Sequence, residues 1–392
     1  MNADTRFDTR AVHAGREDFV ALGVHAPPID LSSTYPVRDL DIGTASFDAL
    51  VAGDAAAANP IYARLHNPTV ARVEGAIARL EGTEACVAYG SGMAALTALL
   101  LASRSRGGHV LVVRPLYGTS DHLLASGLTG LEAEFVDAHE IAARRHADTA
   151  LVLIETPANP TLDLVDIRAV VEAAGDVPVA VDSTFATPVL QRPAELGATY
   201  VLHSATKYLG GHADALGGVA CGPSGLVGRL FHHREINGAV LAPAEAYALL
   251  RGMKTLTLRV ERQNDSALRI ARWLERHPAV ERVNHPGLES HEHHGVARQQ
   301  MRGFGGMLSF ALRGGLDAIA SLLPRLRYAH RAANLGCVET VVGPPVVTSH
   351  VECSDEERRA AGIPEGLVRY STGIEDVADL IDDLERALTA VA

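Results

Sequence analysis

Lysine is almost missing from this chain of 392 residues. Of its 35 basic side chains, only Lys207 and Lys254 are lysines, and the rest are arginine. Arginine is permanently charged and not nucleophilic, so any amine chemistry is confined to two positions. Other scarcities exclude whole classes. Four cysteines (Cys86, Cys221, Cys337, Cys353) stand far apart with no CxxC pair. That spacing argues against a zinc site or a disulfide framework and for free thiols in a reducing cytoplasm. Positive charge is in deficit, with a formal net charge of −12, so a nucleic-acid partner is not expected. Apolar runs such as "MAALTALLLA" (93–102) are too short to span a bilayer. The opening "MNADTRFDTRAVHAG" lacks the basic flank and apolar run of a signal peptide. What is there, 47% hydrophobic and 21% charged residues, fits a soluble globular enzyme of small metabolites.

Apolar strand-like runs alternate with helical patterns between about 85 and 222. "HVLVV" (109–113), "ALVLIE" (150–155), "VPVAVD" (177–182), "TYVLHS" (199–204) and "LGGVACG" (216–222) read as strands. Leu164, Ile167, Val171 and Ala174 fall at helical spacing, with Gly175 as a stop. Val70, Val73, Ile77 and Leu80 make the apolar face of an earlier helix. Strands buried on both faces and separated by helices describe an α/β unit with a mostly parallel sheet. Beyond a helical stretch near 245–277, strand-like "GGMLSFAL" (305–312) and a final helix around Val377–Leu388 point to a smaller α+β domain. The expected organisation is an N-terminal arm over 1–60, a large domain over 61–255 and a C-terminal domain over 256–392.

Lys207 follows the strand "TYVLHS" and precedes Gly210-Gly211, just past the carboxyl end of a parallel strand, where α/β folds put ligands. A lysine nucleophile beside the hydroxyls of Ser204 and Thr206 suggests a Schiff base with an aldehyde whose anionic tail those hydroxyls hold. Pyridoxal phosphate (PLP) fits that description. Its ring nitrogen needs a carboxylate, and Asp182 ends a strand 25 residues earlier. Its phosphate needs backbone N–H groups, and Gly90, Ser91, Gly92 and Met93 open an apolar helix. Tyr117 of "RPLYGTS" offers a stacking ring, and Asn159 of "ETPANP" a donor to the phenolate oxygen. Each has a plainer reading: Asp182 as a helix cap, Tyr117 as a core or surface tyrosine, Asn159 as a turn residue. "GSGMAA" also resembles a dinucleotide loop but lacks the third glycine of GxGxxG. The histidines of "HPGLESHEHHG" (285–295) read as a solvated connection rather than a metal site.

"VDSTFATPVLQRPAELGATYVLHSATKYLGGH" resembles the lysine signature of the Cys/Met-metabolism (transsulfuration) PLP enzymes. "APPIDLSSTYPV", "IYARLHNPT", "GSGMAA", "PLYG", "ETPANP", "LLRGMKTL" and "LVRYSTGIED" extend the likeness over nearly the whole chain. The resemblance implies the aspartate-aminotransferase type fold (fold type I) with a seven-stranded sheet, and a homotetramer of active-site-sharing dimers. It implies that Tyr62 and Arg64 reach the phosphate in the neighbouring subunit and that Gly92, Met93, Ser204 and Thr206 hold it. It also gives Tyr117 stacking and acid–base work, and gives Arg369 the substrate carboxylate.

Departures bear on the substrate. "DSTF" replaces the family's usual "DNTF". Where cystathionine lyases carry an acidic residue in "AESLGG", this chain reads "AANLGC", so Ala333 and Asn334 offer no charge. Thr119 stands where methionine γ-lyases usually have cysteine, and "VVGPPVVTSH" differs from "HPAxMTH". The expected activity is γ-elimination from a sulfur amino acid of the methionine or cystathionine type, with Asn334 and Tyr62 at the substrate. The alternative is γ-replacement by a cystathionine γ-synthase or O-acylhomoserine sulfhydrylase type of enzyme.

Overall fold

The computed structural model describes residues 5–51, 57–351, 356, 358 and 362–389, so Cys353 lies outside the described residues. Seven strands form the central sheet: β1 (Ala85–Tyr89), β2 (His109–Val113), β3 (Glu132–Val136), β4 (Thr149–Glu155), β5 (Val179–Asp182), β6 (Tyr200–Ser204) and β7 (Gly218–Gly222). Their order is β1-β7-β6-β5-β4-β2-β3, all parallel except β7, which runs against both neighbours. The unbroken apolar runs of β2 and β4 follow from burial on both faces. Alternate residues of β4 feed opposite sides, Leu151 and Leu153 into one core cluster and Val152 and Ile154 into another.

Two strands escape the apolar-run reading. β3 is an edge strand, "EAEFV", with its first residue exposed, so its run is interrupted by charge. β1, "ACVAY", has two alanines, poor strand formers, and leads straight into an equally apolar helix.

The helix Pro68–Glu81 begins where Asn67 accepts N–H bonds from Thr69 and Val70, and ends at left-handed Gly82. Val70, Val73, Ile77 and Leu80 are buried on its inner face. The helix Ile167–Ala174 starts later than Leu164, because Asp166 caps it through Ala169 N–H. The stretch 245–277 is two helices, Pro243–Met253 and Leu256–Leu274. Lys254 sits at their junction, partly buried near Arg16 rather than on a solvent-facing helical surface. The first sixty residues are not extended throughout: Phe7–His13 and Leu40–Val51 are helical.

A second sheet, of order β10-β11-β12-β9-β8, contains β8 (Val280–Asn284), β9 (Met307–Leu312), β10 (His330–Arg331), β11 (Val341–Gly343) and β12 (Leu367–Ser371). The helices Leu256–Leu274 and Val377–Thr389 cover it, sharing a core with Leu308, Phe310, Val368 and Tyr370. Among the described residues no helix is long and apolar enough to cross a membrane.

Candidate active site

Strand parity assembles the site. Glu155 and Asp182 are in register at the ends of β4 and β5, and Asp182 pairs with Leu202, two residues before Ser204. Leu153, Ala180 and Leu202 face the cluster that contains the helix Gly92–Ser103. Side chains two residues further along each strand emerge on that same face, at the carboxyl edge. Glu155, Asp182, Ser204, Thr206, Lys207 and Arg369 all line one cavity of about 250 Å³.

Lys207 Nζ donates to Asn334 Oδ1 at 3.0 Å. Burial, and then the charge of Arg369, lowers its amine to about 8. At pH 7 about a tenth of such amines are neutral, against fewer than about one in a thousand for an ordinary lysine. A weakened proton is what a nucleophile needs.

Asp182 Oδ1 accepts from Thr184 N–H at 3.0 Å and from Thr184 Oγ1 at 2.6 Å. Thr184 Oγ1 in turn accepts from Ser204 N–H at 2.9 Å. Asp182 is not a helix cap, since the next helix, Thr187–Leu190, has Ala186 at its N-cap with no side-chain bond; one Asp182 oxygen instead closes a turn with Thr184. Burial raises the Asp182 carboxyl, opposed by the Thr184 bonds and by His203 on the next strand. Glu155 is also raised, by burial and by the charge of Asp182. Its Oε2 accepts from Tyr117 N–H at 2.7 Å and its Oε1 from Asn159 N–H at 2.9 Å. Neither Glu155 nor Thr184 stands out by residue type; their signal is position, at the end of "ALVLIE" and inside "DSTF".

The helix Gly92–Ser103 points its N-terminus into the cavity, with Ser91 Oγ capping Ala94 N–H at 3.1 Å. A Cβ on Gly92 would stand 3.1 Å from Ser204 Cβ and 3.2 Å from its Cα. The glycine thus lets a hydroxyl and the first helical amides converge on one spot, an anion cradle. Met93 lines the cavity, and Thr206 is fixed by bonds to Gly217, donating to its carbonyl at 3.1 Å.

Tyr117, at the N-cap of Gly118–Ala125, also lines the cavity, partly exposed. Asn159 is buried, and its Oδ1 accepts from Arg369 Nη1 at 3.2 Å. Arg369 lies on β12 and also donates to the Asn334 carbonyl at 3.2 Å, with burial lowering its guanidinium to about 10. Ala333 and Leu335 line the cavity, whereas the Asn334 side chain is spent on Lys207 and on Cys337 Sγ, 3.3 Å away. Tyr62 and Arg64 lie away from their own chain's cavity. Arg64 stacks 5.2 Å from the Tyr62 ring and donates to the Glu235 carbonyl. Of the 285–295 histidines, His285 and His291 are buried, His293 faces Asp163, and His294 bonds the Pro286 carbonyl.

An amine poised for attack, a carboxylate at a strand edge, an open anion cradle and a stacking ring together fit pyridoxal phosphate. The family described as Cys/Met metabolism PLP-dependent enzyme matches residues 8–389. The chain is 46% identical to L-methionine gamma-lyase of Streptomyces avermitilis, over 97% of this chain and 88% of that protein. It is 45% identical to L-methionine gamma-lyase of Brevibacterium aurantiacum, over 100% and 97%. A solved cystathionine gamma synthase from Xanthomonas oryzae pv. oryzae, in complex with cystathionine, superposes with TM-score 0.91. The identity there is 35%, covering 99% of both chains. The α/β architecture, the lysine after β6 and these matches make the chain a member of the Cys/Met-metabolism family of PLP-dependent enzymes.

Proposed function

We propose that the chain is a carbon–sulfur lyase that removes the γ-substituent of methionine-type amino acids, giving a 2-oxo acid, ammonia and a thiol. The charge of the cavity carries this reading. Its charged lining residues among those described are Glu155, Asp182, Lys207 and Arg369; Glu155 is spent on two backbone N–H groups, and the other three would serve the cofactor and the α-carboxylate. Ala333 and Leu335 add apolar wall. Cystathionine would bring a second ammonium and carboxylate, costly to desolvate unpaired, whereas a thioether brings none. The likeness to two L-methionine gamma-lyases supports the same choice.

Bound at Lys207, PLP supplies an electron sink once its ring nitrogen is protonated. Asp182 would accept from that ring N–H, Tyr117 would stack on the ring and serve in proton transfers, and Asn159 would donate to the phenolate oxygen. The Gly92 and Met93 amides and the Ser204 hydroxyl would hold the phosphate, and the Thr206 hydroxyl would join them by turning its proton from the Gly217 carbonyl. Arg369 grips the substrate carboxylate as a fork. The Lys207 amine would be placed to take the substrate's α-proton and carry it onward. Methionine and water leave as 2-oxobutanoate, ammonia and methanethiol. Gamma-replacement would use the same residues, and the likeness to a cystathionine gamma synthase supports it as the second reading.

Competition kinetics decide the substrate, using methionine, homocysteine, cystathionine and O-acylhomoserines, with and without added thiol. Methionine is expected to exceed cystathionine in kcat/KM. A tenfold preference for cystathionine, about 1.4 kcal/mol in transition-state binding, sinks the reading. Thiol-dependent product in place of keto acid selects replacement.

We further infer a homotetramer of site-sharing dimers acting in the cytoplasm, with arm (1–60), large domain (61–255) and C-terminal domain (256–392). Exposed Val20, Leu31 and Leu40 on the arm support its covering by a second copy. Tyr62 and Arg64 would then serve the neighbour's phosphate, with Tyr62 also near the substrate. Mixing inactive Arg64→Ala with inactive Lys207→Ala protein is expected to restore part of the activity. Subunit exchange without recovery rules the shared site out.

A further inference from the structure

Glu155 is buried beside another carboxyl group, an arrangement that costs stability and that an apolar side chain would avoid. Its two oxygens are divided between two loops. One accepts the N–H of Tyr117 and the other the N–H of Asn159. Asn159 in turn accepts from Arg369. We propose that Glu155 is the positioning residue of this site, a single carboxylate that fixes the ring-stacking tyrosine relative to the amide that steadies the substrate's guanidinium clamp.

The choice of residue follows from donor and acceptor counts. Two backbone donors arriving from different directions need two acceptor oxygens on one rigid plane, which a carboxylate has. A glutamine has one, and its NH₂ would face an N–H. An aspartate is one methylene shorter and spans one loop at most. The inference rests on the site reading above, in which Tyr117, Asn159 and Arg369 act on cofactor and substrate.

The test uses the holoenzyme with Glu155→Gln and Glu155→Asp. Expected are a PLP dissociation constant raised at least about tenfold and a weakened circular-dichroism band of the bound cofactor. A methionine KM raised about tenfold is expected too, because Asn159 and Arg369 shift together. A merely structural glutamate would lower the melting temperature and leave cofactor dichroism and KM alone. That outcome overturns the proposal. Should neither variant fold, hydrogen exchange of the unaltered holoenzyme decides it: both the Tyr117 and Asn159 amides must be protected, and rapid exchange at either overturns it. Lys207→Ala separates the two claims. Loss of its visible cofactor band, with normal Glu155 variants, defeats this inference alone, whereas a retained band defeats the site reading.

Discussion

Lys207→Arg is expected to lower kcat with methionine by about 10⁴-fold or more, whatever the concentration of added PLP. Arginine keeps the charge and reaches at least as far, but cannot give up a proton or form the covalent bond that would hold the cofactor. It removes both a nucleophile and a base, and base catalysis alone is worth about 10²–10⁴-fold. Lys254→Arg, at the junction of Pro243–Met253 and Leu256–Leu274, is expected to stay within about twofold of the parent. The two arginine variants therefore form a matched pair, and a dead Lys254→Arg enzyme with an active Lys207→Arg enzyme reverses the assignment. A second readout uses the lowered amine. Only its neutral form attacks an aldehyde, so PLP uptake by apo protein should speed up about tenfold per pH unit below 8. Above about 8, the value for the Lys207 amine, it should level off. A pH-independent uptake rate between 6 and 8 contradicts the desolvated-amine picture.

Much of this site is legible in sequence because strand ends are legible. β2 matches its apolar run, and the ends of β4, β5 and β6 fall where "ALVLIE", "VPVAVD" and "TYVLHS" stop. A residue at such an end lands at the carboxyl edge whatever the rest of the chain does, so Asp182 and Lys207 follow from local pattern. Arg369 does not. It reaches the cavity from β12 of the second sheet, 162 residues beyond Lys207, and resemblance rather than periodicity points to it. Asn334 is read from its alignment as a substrate contact, yet its amide is turned to Lys207 and Cys337 while Ala333 and Leu335 form the wall. In an irregular segment the direction of one side chain depends on tertiary contacts that no spacing encodes. Glu155 is missed for another reason. Its importance lies in two backbone N–H groups from separate loops, and backbone donors leave no trace in residue type.

Asp182→Asn is expected to separate catalysis from stability, moving the two in different directions. Asparagine keeps an oxygen for the N–H and hydroxyl of Thr184, so the link from Thr184 to Ser204 survives. What disappears is the negative charge that, in the proposed site, would keep the cofactor ring cationic. Pre-organised charges of this kind are worth about 10²–10³-fold in kcat, and a loss of that size is predicted for methionine turnover. Stability should behave otherwise. Burial raises the Asp182 carboxyl above the ordinary carboxylate range in the folded apo protein. An acid whose folded value is raised opposes folding as pH climbs, because the unfolded chain loses its proton first and more easily. At neutral pH, apo Asp182→Asn is therefore expected to melt no lower than the parent. Below the ordinary carboxylate range, where both side chains are neutral, any advantage should vanish. The pair of measurements is thermal melting of the apo proteins across that pH span and kcat of the PLP-loaded enzymes at neutral pH. A kcat within tenfold of the parent removes Asp182 from the ring nitrogen. A clear loss of apo stability at neutral pH means its charge is paired in the fold more tightly than the Thr184 and His203 contacts provide.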